Sequence, residues 1–286
     1  MEAKKDVFIA CESSFNKADI VILGAGFDST TTYRPGARFA PAAIRRESYS
    51  IETFSPYQNK DLADLKVCDT ADLELPISDT KKTLKAIQNG IEKVLKSNKF
   101  PLLIGGEHLV TLGAVRAVLN KHPDICIVHF DAHADLRDDY LSDKLSHSTV
   151  MRRCFEELNS QQIFQFGIRS GEKQEFEFAK NLIFMTRFNF DNIEHTLQLI
   201  KGKRVYFTVD MDVLDPSQFP GTGTPEAGGV SFLDLLAATK TVFDTCDVVA
   251  FDMVELNPMV DPSGISTSLS CKYLREVLLY IGESLK

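Results

Sequence analysis

The chain has 286 residues, 44% of them hydrophobic and 25% charged, with a formal net charge of -8. Such a composition suits a globular protein with a large core, and the acidic balance argues against general nucleic-acid binding while mildly favouring a cationic small molecule. No apolar run reaches the roughly 18 residues of a membrane span. The start, MEAKKDVFIACESSF, lacks a signal-type apolar stretch, so a cytoplasmic protein with no membrane partner is expected. The cysteines at 11, 68, 126, 154, 246 and 271 form no CxxC pair and read as reduced thiols.

In chain order, short β-branched or apolar runs predict strands at 20–23, 102–104, 125–130, 163–166, 204–209 and 248–254. Between them, helical periodicity predicts helices at 80–96, 109–120, 172–180, 193–201, 231–243 and 268–281. This alternation implies a parallel sheet with helices on both faces, and runs such as ICIVHF fit strands covered on both sides. No repeat, low-complexity tract or long linker marks a boundary, so residues 1–286 are read as one domain.

Glycine and proline punctuation falls just after the strands, where open parallel sheets bind ligands. Three polar motifs stand there. In HFDAHADLRDDY, Asp131, His133 and Asp135 recur at every second residue, a spacing that in a strand places them on one face. In RVYFTVDMDVLDP, Asp210 and Asp212 repeat that spacing, and in IGGEHLV a glycine pair precedes His108. Each has a bland alternative: a packed histidine for His108, a turn or helix cap for the aspartates. Three titratable groups on one face would be costly without a counter-ion, which favours metal binding. Four carboxylates and two imidazoles suit two divalent ions sharing bridging carboxylates, and a thiol-free set favours Mn²⁺ over Zn²⁺. Two ions about 3.5–4 Å apart would polarise a shared water into a hydrolytic nucleophile.

FDAHADLRD, TVDMDVLDP and GGEH, together with GARFAPAAIR (36–45) and MVELNP (253–258), resemble the ureohydrolase family of arginases, agmatinases and formimidoylglutamases. The resemblance implies a three-layer α/β/α sandwich around a mostly parallel sheet of about eight strands, with two Mn²⁺ ions per subunit at the strand ends. Carried over residue by residue, it implies that His108, Asp131, Asp135 and Asp210 hold one ion and Asp131, His133, Asp210 and Asp212 the other. Asp135 would also accept the nucleophile's proton, His147 in KLSHST would shuttle protons, and Glu255 would hold the substrate's guanidinium. Without the resemblance, His147 reads as an exposed loop histidine and Glu255 as a charge at a strand end. Trimers or hexamers are implied as well.

Within the family, GARFAPAAIR, AHADLRD and GTGTPEAGG look most like agmatinases, whose reaction releases urea and putrescine and feeds polyamine synthesis. The stretch LRDDYLSDKLS carries Asp138, Asp139 and Asp143 and no Asn, so acidic residues are expected at the mouth, where they would favour a dication over a free carboxylate. Arg137 and Lys144 in the same stretch are the counterweight, either being able to meet a carboxylate. Glu226 is read as a rim contact or a solvated loop charge. Ala40 and Leu256 depart from the usual agmatinase pattern, at positions that bear on loop geometry.

The alternatives are another guanidino or formimino ureohydrolase (arginase, guanidinobutyrase or formimidoylglutamase) and a catalytically silent metal-binding regulator on the same scaffold. A metallophosphoesterase would need GDxxD and GNHD stretches that the sequence lacks. A related zinc deacetylase would use one ion rather than two.

Overall fold

The computed structural model describes residues 6–160 and 162–286; the N-terminal reading begins on residues 1–5, outside those described. Among the described residues ten strands form: β1 Ile20–Ala25, β2 Phe54–Ser55, β3 Lys60–Asp61, β4 Val67–Asp72, β5 Phe100–Gly105, β6 Cys126–Phe130, β7 Ile163–Ile168, β8 Phe184–Arg187, β9 Arg204–Asp210 and β10 Asp247–Val254. The helices are α1 Ala40–Glu47, α2 Thr80–Lys96, α3 Val110–Lys121, α4 Val150–Glu157, α5 Lys173–Ala179, α6 Ile193–Leu197, α7 Phe232–Thr245 and α8 Ile265–Ser284. Strands β2 and β3 pair as a small hairpin. The other eight form one sheet in the order β4-β1-β5-β10-β9-β6-β7-β8, every pair parallel.

Alternation along each strand builds two cores. Cys126, Val128 and Phe130 of β6 pack with α1, α6, α7 and α8 on one face, while Ile127 joins α2, α3 and α4 on the other, giving three layers. Helix α2 shows how the sequence specifies such a cover. Asp79 caps it by accepting the Lys82 N–H at 3.1 Å, and Leu84, Ile87, Ile91, Val94 and Leu95 bury one stripe. Among the described residues no helix is long and apolar enough to cross a membrane.

Two of the elements absent from the sequence reading share a cause. Strands β4 and β8 are the two sheet edges, covered less completely than their neighbours, so neither carries the continuous apolar run of a central strand. Asp69 of β4 is buried because Arg45 of α1 donates to it at 2.8 Å, and Phe8 N donates to the same oxygen at 2.9 Å. That ion pair also hides α1 from a hydrophobic pattern, since its buried face includes an arginine.

Strand order places the site. Strands β9 and β10 insert between β5 and β6, so four central strands of different sequence position end side by side. A crevice opens beyond such carboxyl ends, and the chemistry-bearing residues follow these four strands.

Candidate metal centre and cavity

His108 follows β5 through Gly105 and Gly106. A Cβ on Gly106 would lie 2.0 Å from the Phe27 carbonyl oxygen, so only glycine lets the chain pass there. The backbone N–H of His108 then donates to Glu255 Oε1 at 2.7 Å, joining the end of β5 to the residue after β10.

Asp131, His133 and Asp135 converge, but not as a strand face. Strand β6 stops at Phe130, and Asp135 takes a left-handed backbone with φ 54°. Backbone bonds outside the sheet gather the three side chains. Ala134 N donates to Ser170 O at 3.0 Å, and the Asp135 carbonyl accepts Met151 N and Arg152 N from the first turn of α4 at 3.0 and 3.1 Å. The second aspartate pair departs from a strand in the same way. Asp210 closes β9, whereas Asp212 sits in a 3-10 turn over Met211–Val213, its N–H donated to Asp210 Oδ1 at 2.8 Å. Asp212 Oδ1 in turn accepts Ala132 N at 3.1 Å, tying the two motifs together.

His108 Nδ1 lies 3.1 Å from Asp131 Oδ2, 3.4 Å from Asp135 Oδ2 and 3.3 Å from Asp210 Oδ2. It is buried, yet makes a hydrogen bond to none of them. His133 Nδ1 lies 3.0 Å from Asp212 Oδ2, another buried atom without a hydrogen bond, and 3.6 Å from Asp131 Oδ1. Among the described residues the ligand-type atoms of Asp131, His133 and Asp212 fall within 4.8 Å of one another, as do those of His108, His129 and Asp131.

Electrostatics points the same way. Burial and neighbouring carboxylates push Asp210 and Asp135 well above the ordinary range, and burial raises Asp212. Asp131 goes down: burial opposes its charge, but His129 and His108 outweigh it. Burial alone would lower His108 and His133, yet Asp131 and Asp210 hold the first up and Asp212 the second. Without a cation, the cluster offsets crowded negative charge with protons. Divalent ions fit the same oxygen and nitrogen donors and the two orphaned atoms.

Glu255, also left-handed with φ 65°, lines a cavity of about 440 Å³ with His147, Asp135 and Asp210. His147 is 8% exposed, far from an exposed loop histidine; Thr32 N donates to its Nε2 at 3.2 Å, and its Nδ1 lies 3.5 Å from Glu255 Oε1. Burial pushes His147 down and Glu255 more than reverses this, for a net rise. Glu226 lies at the cavity rim, accepting from Ser170 Oγ at 2.8 Å, with its Oε1 3.7 Å from His133 Nε2.

Asp138 and Asp139 are placed differently from the expectation. They face an adjoining cavity of about 280 Å³ because Asp138 is drawn to Arg153 at 2.9 Å and Asp139 accepts Ser142 N at 3.0 Å. Beyond the cluster, Glu226 and Glu255, the acidic residues lining the 440 Å³ cavity are Glu172 and Glu175. Arg137 is held there by Glu172 at 3.2 Å and Glu175 at 3.6 Å.

Sequence reading passed over Glu107 and the threonines of the Asp28–Thr32 segment. Glu107 is fully buried, accepts Thr30 N at 2.8 Å and Thr30 Oγ1 at 2.5 Å, and is raised to about 7 by burial. Thr30 Oγ1 also accepts His147 N at 3.0 Å, so this carboxylate anchors the segment that seats His147. Its position beside His108 in GGEH was the available signal. The motif ELNP has a structural meaning too: Asn257 Nδ2 donates to the carbonyls of Arg34 at 3.0 Å and Pro35 at 3.2 Å, locking the loop before GARF.

Comparison with known proteins agrees with this arrangement. The Arginase family signature matches residues 18–280. An agmatinase of Bacillus subtilis is 41% identical over 276 residues, covering 96% of this chain and 95% of that protein. The N(1)-aminopropylagmatine ureohydrolase of Thermococcus kodakarensis is 35% identical, covering 88% of each chain. The crystal structure of agmatine ureohydrolase of Thermoplasma volcanium superposes with a TM-score of 0.90 at 30% identity, covering 99% of this chain and 96% of that one.

Proposed function

The chain belongs to the arginase family as an agmatinase-like ureohydrolase, and from that premise we propose that it hydrolyses agmatine to urea and putrescine. His108, Asp131, Asp135 and Asp210 would hold one Mn²⁺, and Asp131, His133, Asp210 and Asp212 a second. The observation that carries this reading is the convergence of four buried carboxylates on two histidines, with His108 Nδ1 and Asp212 Oδ2 buried and unbonded. When bound, such an ion pair supplies Lewis-acid activation of water near neutral pH.

The protein's own groups do the rest. Glu255 accepts the guanidinium N–H donors as a fork, and its fixed backbone and the His108 N–H on Oε1 hold it in register. Asp135, on the cavity wall with Glu255 and His147, is the carboxylate placed to take up a proton beside the reacting carbon. When His147 is protonated, its Nε2–H has Thr32 Oγ1 as acceptor at 3.1 Å, so the nitrogen that trades a proton with the cavity is Nδ1. From there it protonates the departing amine.

The choice of agmatine rests on the wall of the cavity and on the relatives. Glu172 is 55% exposed on its side chain and offers a carboxylate to the amine. Arg137, the group that would attract the carboxylate of arginine, is already paired with Glu172 and Glu175. One sheet running from residue 20 to 254 supports reading the chain as a single domain. Assembly into trimers or hexamers belongs to the same proposal and is read by light scattering.

The test is a product assay on Mn²⁺-loaded protein, reading urea from agmatine, arginine and guanidinobutyrate and formamide from formimidoylglutamate. The expected result is urea from agmatine at the highest kcat/KM. Preference for another of these would replace the substrate, and no turnover of any would overturn the reading.

A further inference from the structure

Four fully buried polar side chains form one row across the centre of the sheet: Gln165 on β7, His129 on β6, Thr208 on β9 and Asp252 on β10. They are direct register partners, Gln165 with His129, His129 with Thr208, and Thr208 with Asp252. His129 and Thr208 stand two residues before Asp131 and Asp210, so the row forms a floor beneath the cluster. Polar groups in such a place cost stability unless each has a partner. Thr208 Oγ1 meets His108 Nε2 at 3.0 Å, while Asp252 Oδ2 accepts Thr111 Oγ1 at 2.7 Å and Tyr206 OH at 2.5 Å.

The hydrogen bonds of His129 fix its tautomer. Gln165 Nε2 lies 2.7 Å from the Ala134 carbonyl oxygen, an obligate acceptor, so the amide's NH₂ end is the one turned inward. That same NH₂ lies 2.9 Å from His129 Nδ1, and since it can only donate, Nδ1 must carry a lone pair. The ring N–H is therefore on Nε2, which lies 2.7 Å from Asp131 Oδ2. Asp131 Oδ1 is tied as well, accepting His133 N at 2.5 Å. Of the four lone-pair sites on this carboxylate, one on each oxygen is thus occupied by the protein and one on each is left over.

We propose that His129 is a positioning residue for the metal centre: Gln165 sets its tautomer, and its Nε2–H fixes the rotation of Asp131 so that each oxygen keeps one lone pair for one of two ions. His129 enters as a donor and not as a ligand, although its ring lies within reach of the cluster. The inference rests on the two-ion reading above, and its test separates the two.

The experiment compares wild type, His129→Phe and His129→Gln. Phenylalanine keeps the ring and removes the donor; glutamine restores an N–H. Each is stripped of metal, checked by circular dichroism and titrated with Mn²⁺ in a calorimeter. His129→Phe is expected to fold and bind Mn²⁺ about 10- to 100-fold more weakly, the usual cost of losing such a support, with His129→Gln recovering part of the loss. A folded His129→Phe with wild-type affinity and stoichiometry would overturn the proposal, as would failure of glutamine to improve on phenylalanine. Should His129→Phe not fold, the ¹⁵N spectrum of metal-free wild type labelled at histidine decides. An Nε2–H tautomer for His129 supports the proposal; an Nδ1–H ring or an imidazolium overturns it. Wild type that binds no Mn²⁺ refutes the two-ion reading itself, a result readable apart from the spectrum.

Discussion

Arg275 and Glu276, both buried on α8, and the Asp131–Asp210 cluster at the strand ends are two ways of burying charge. Arg275 donates twice to Glu276 Oε1, at 2.9 and 2.7 Å, and to the carbonyls of Glu52 and Phe54 at 2.9 Å each. Glu276 Oε2 accepts Ser55 Oγ at 2.7 Å and Gln58 Nε2 at 2.9 Å. Opposite charges are matched there and both Glu276 oxygens are hydrogen-bonded, the neutral Gln58 Oε1 being the atom left without a partner. At the strand ends four carboxylates face two histidines, and two buried atoms hold no hydrogen bond. The closed cluster needs nothing more, whereas the open one is built to take up positive charge from outside.

Breaking the closed cluster should give the largest loss of stability. Arg275→Met leaves Glu276 buried and uncompensated, for an expected cost of about 3–5 kcal/mol in urea unfolding. Mn²⁺ affinity of the folded fraction should not change. The open cluster should respond with the opposite sign. Asp210→Asn removes one of the crowded charges, so the metal-free protein should melt no lower than wild type and preferably higher, while urea release falls by more than about 100-fold. A metal-free Asp210→Asn protein that melts well below wild type would erase the distinction.

The contrast carries a pH signature. The folded-state values of Asp135, Asp210 and Asp212 are raised, so their contribution is present below the ordinary carboxylate value of about 4 and is lost as pH rises. His108 and His133, also raised, contribute below about 6.5 and lose this as pH climbs through their folded values. Asp131, lowered, works in the other direction and loses its contribution only as pH falls below about 4. Thermal melts with chelator should therefore fall between pH 5 and 8, and added Mn²⁺ should flatten that slope. A chelated protein that gains stability across this window would count against the charge assignment.

The smallest effects separate the two neighbouring cavities. Glu172→Gln should raise KM for agmatine several-fold with little change in kcat. Asp138→Asn and Asp139→Asn should leave both within about two-fold, since exposed ion pairs contribute little. Steady-state kinetics on the three variants checks the order, which would reverse if the LRDDY stretch held the amine.

The central strands were legible because both their faces are covered, which forces continuous apolar runs. The edge strands β4 and β8 were not, because Arg45 and solvent take the place of hydrophobic cover. The residues of the cluster were legible as chemistry, though period-two spacing suggested a strand face where the chain has a left-handed Asp135 and a 3-10 turn at Asp212. Asp138 and Asp139 could not be placed from sequence, because Arg153, which draws Asp138 away, lies a loop and a helical turn further on. His129 was hidden inside ICIVHF, where one imidazole in an apolar run reads as core. Its spacing of two from Asp131 was the available clue.

A calorimetric titration of Mn²⁺ into metal-stripped wild-type protein tests the central claim most directly, because it counts what the open cluster takes up. The account predicts saturation at two equivalents per chain, with a matching rise in melting temperature. Saturation at one equivalent, or no uptake, would contradict it.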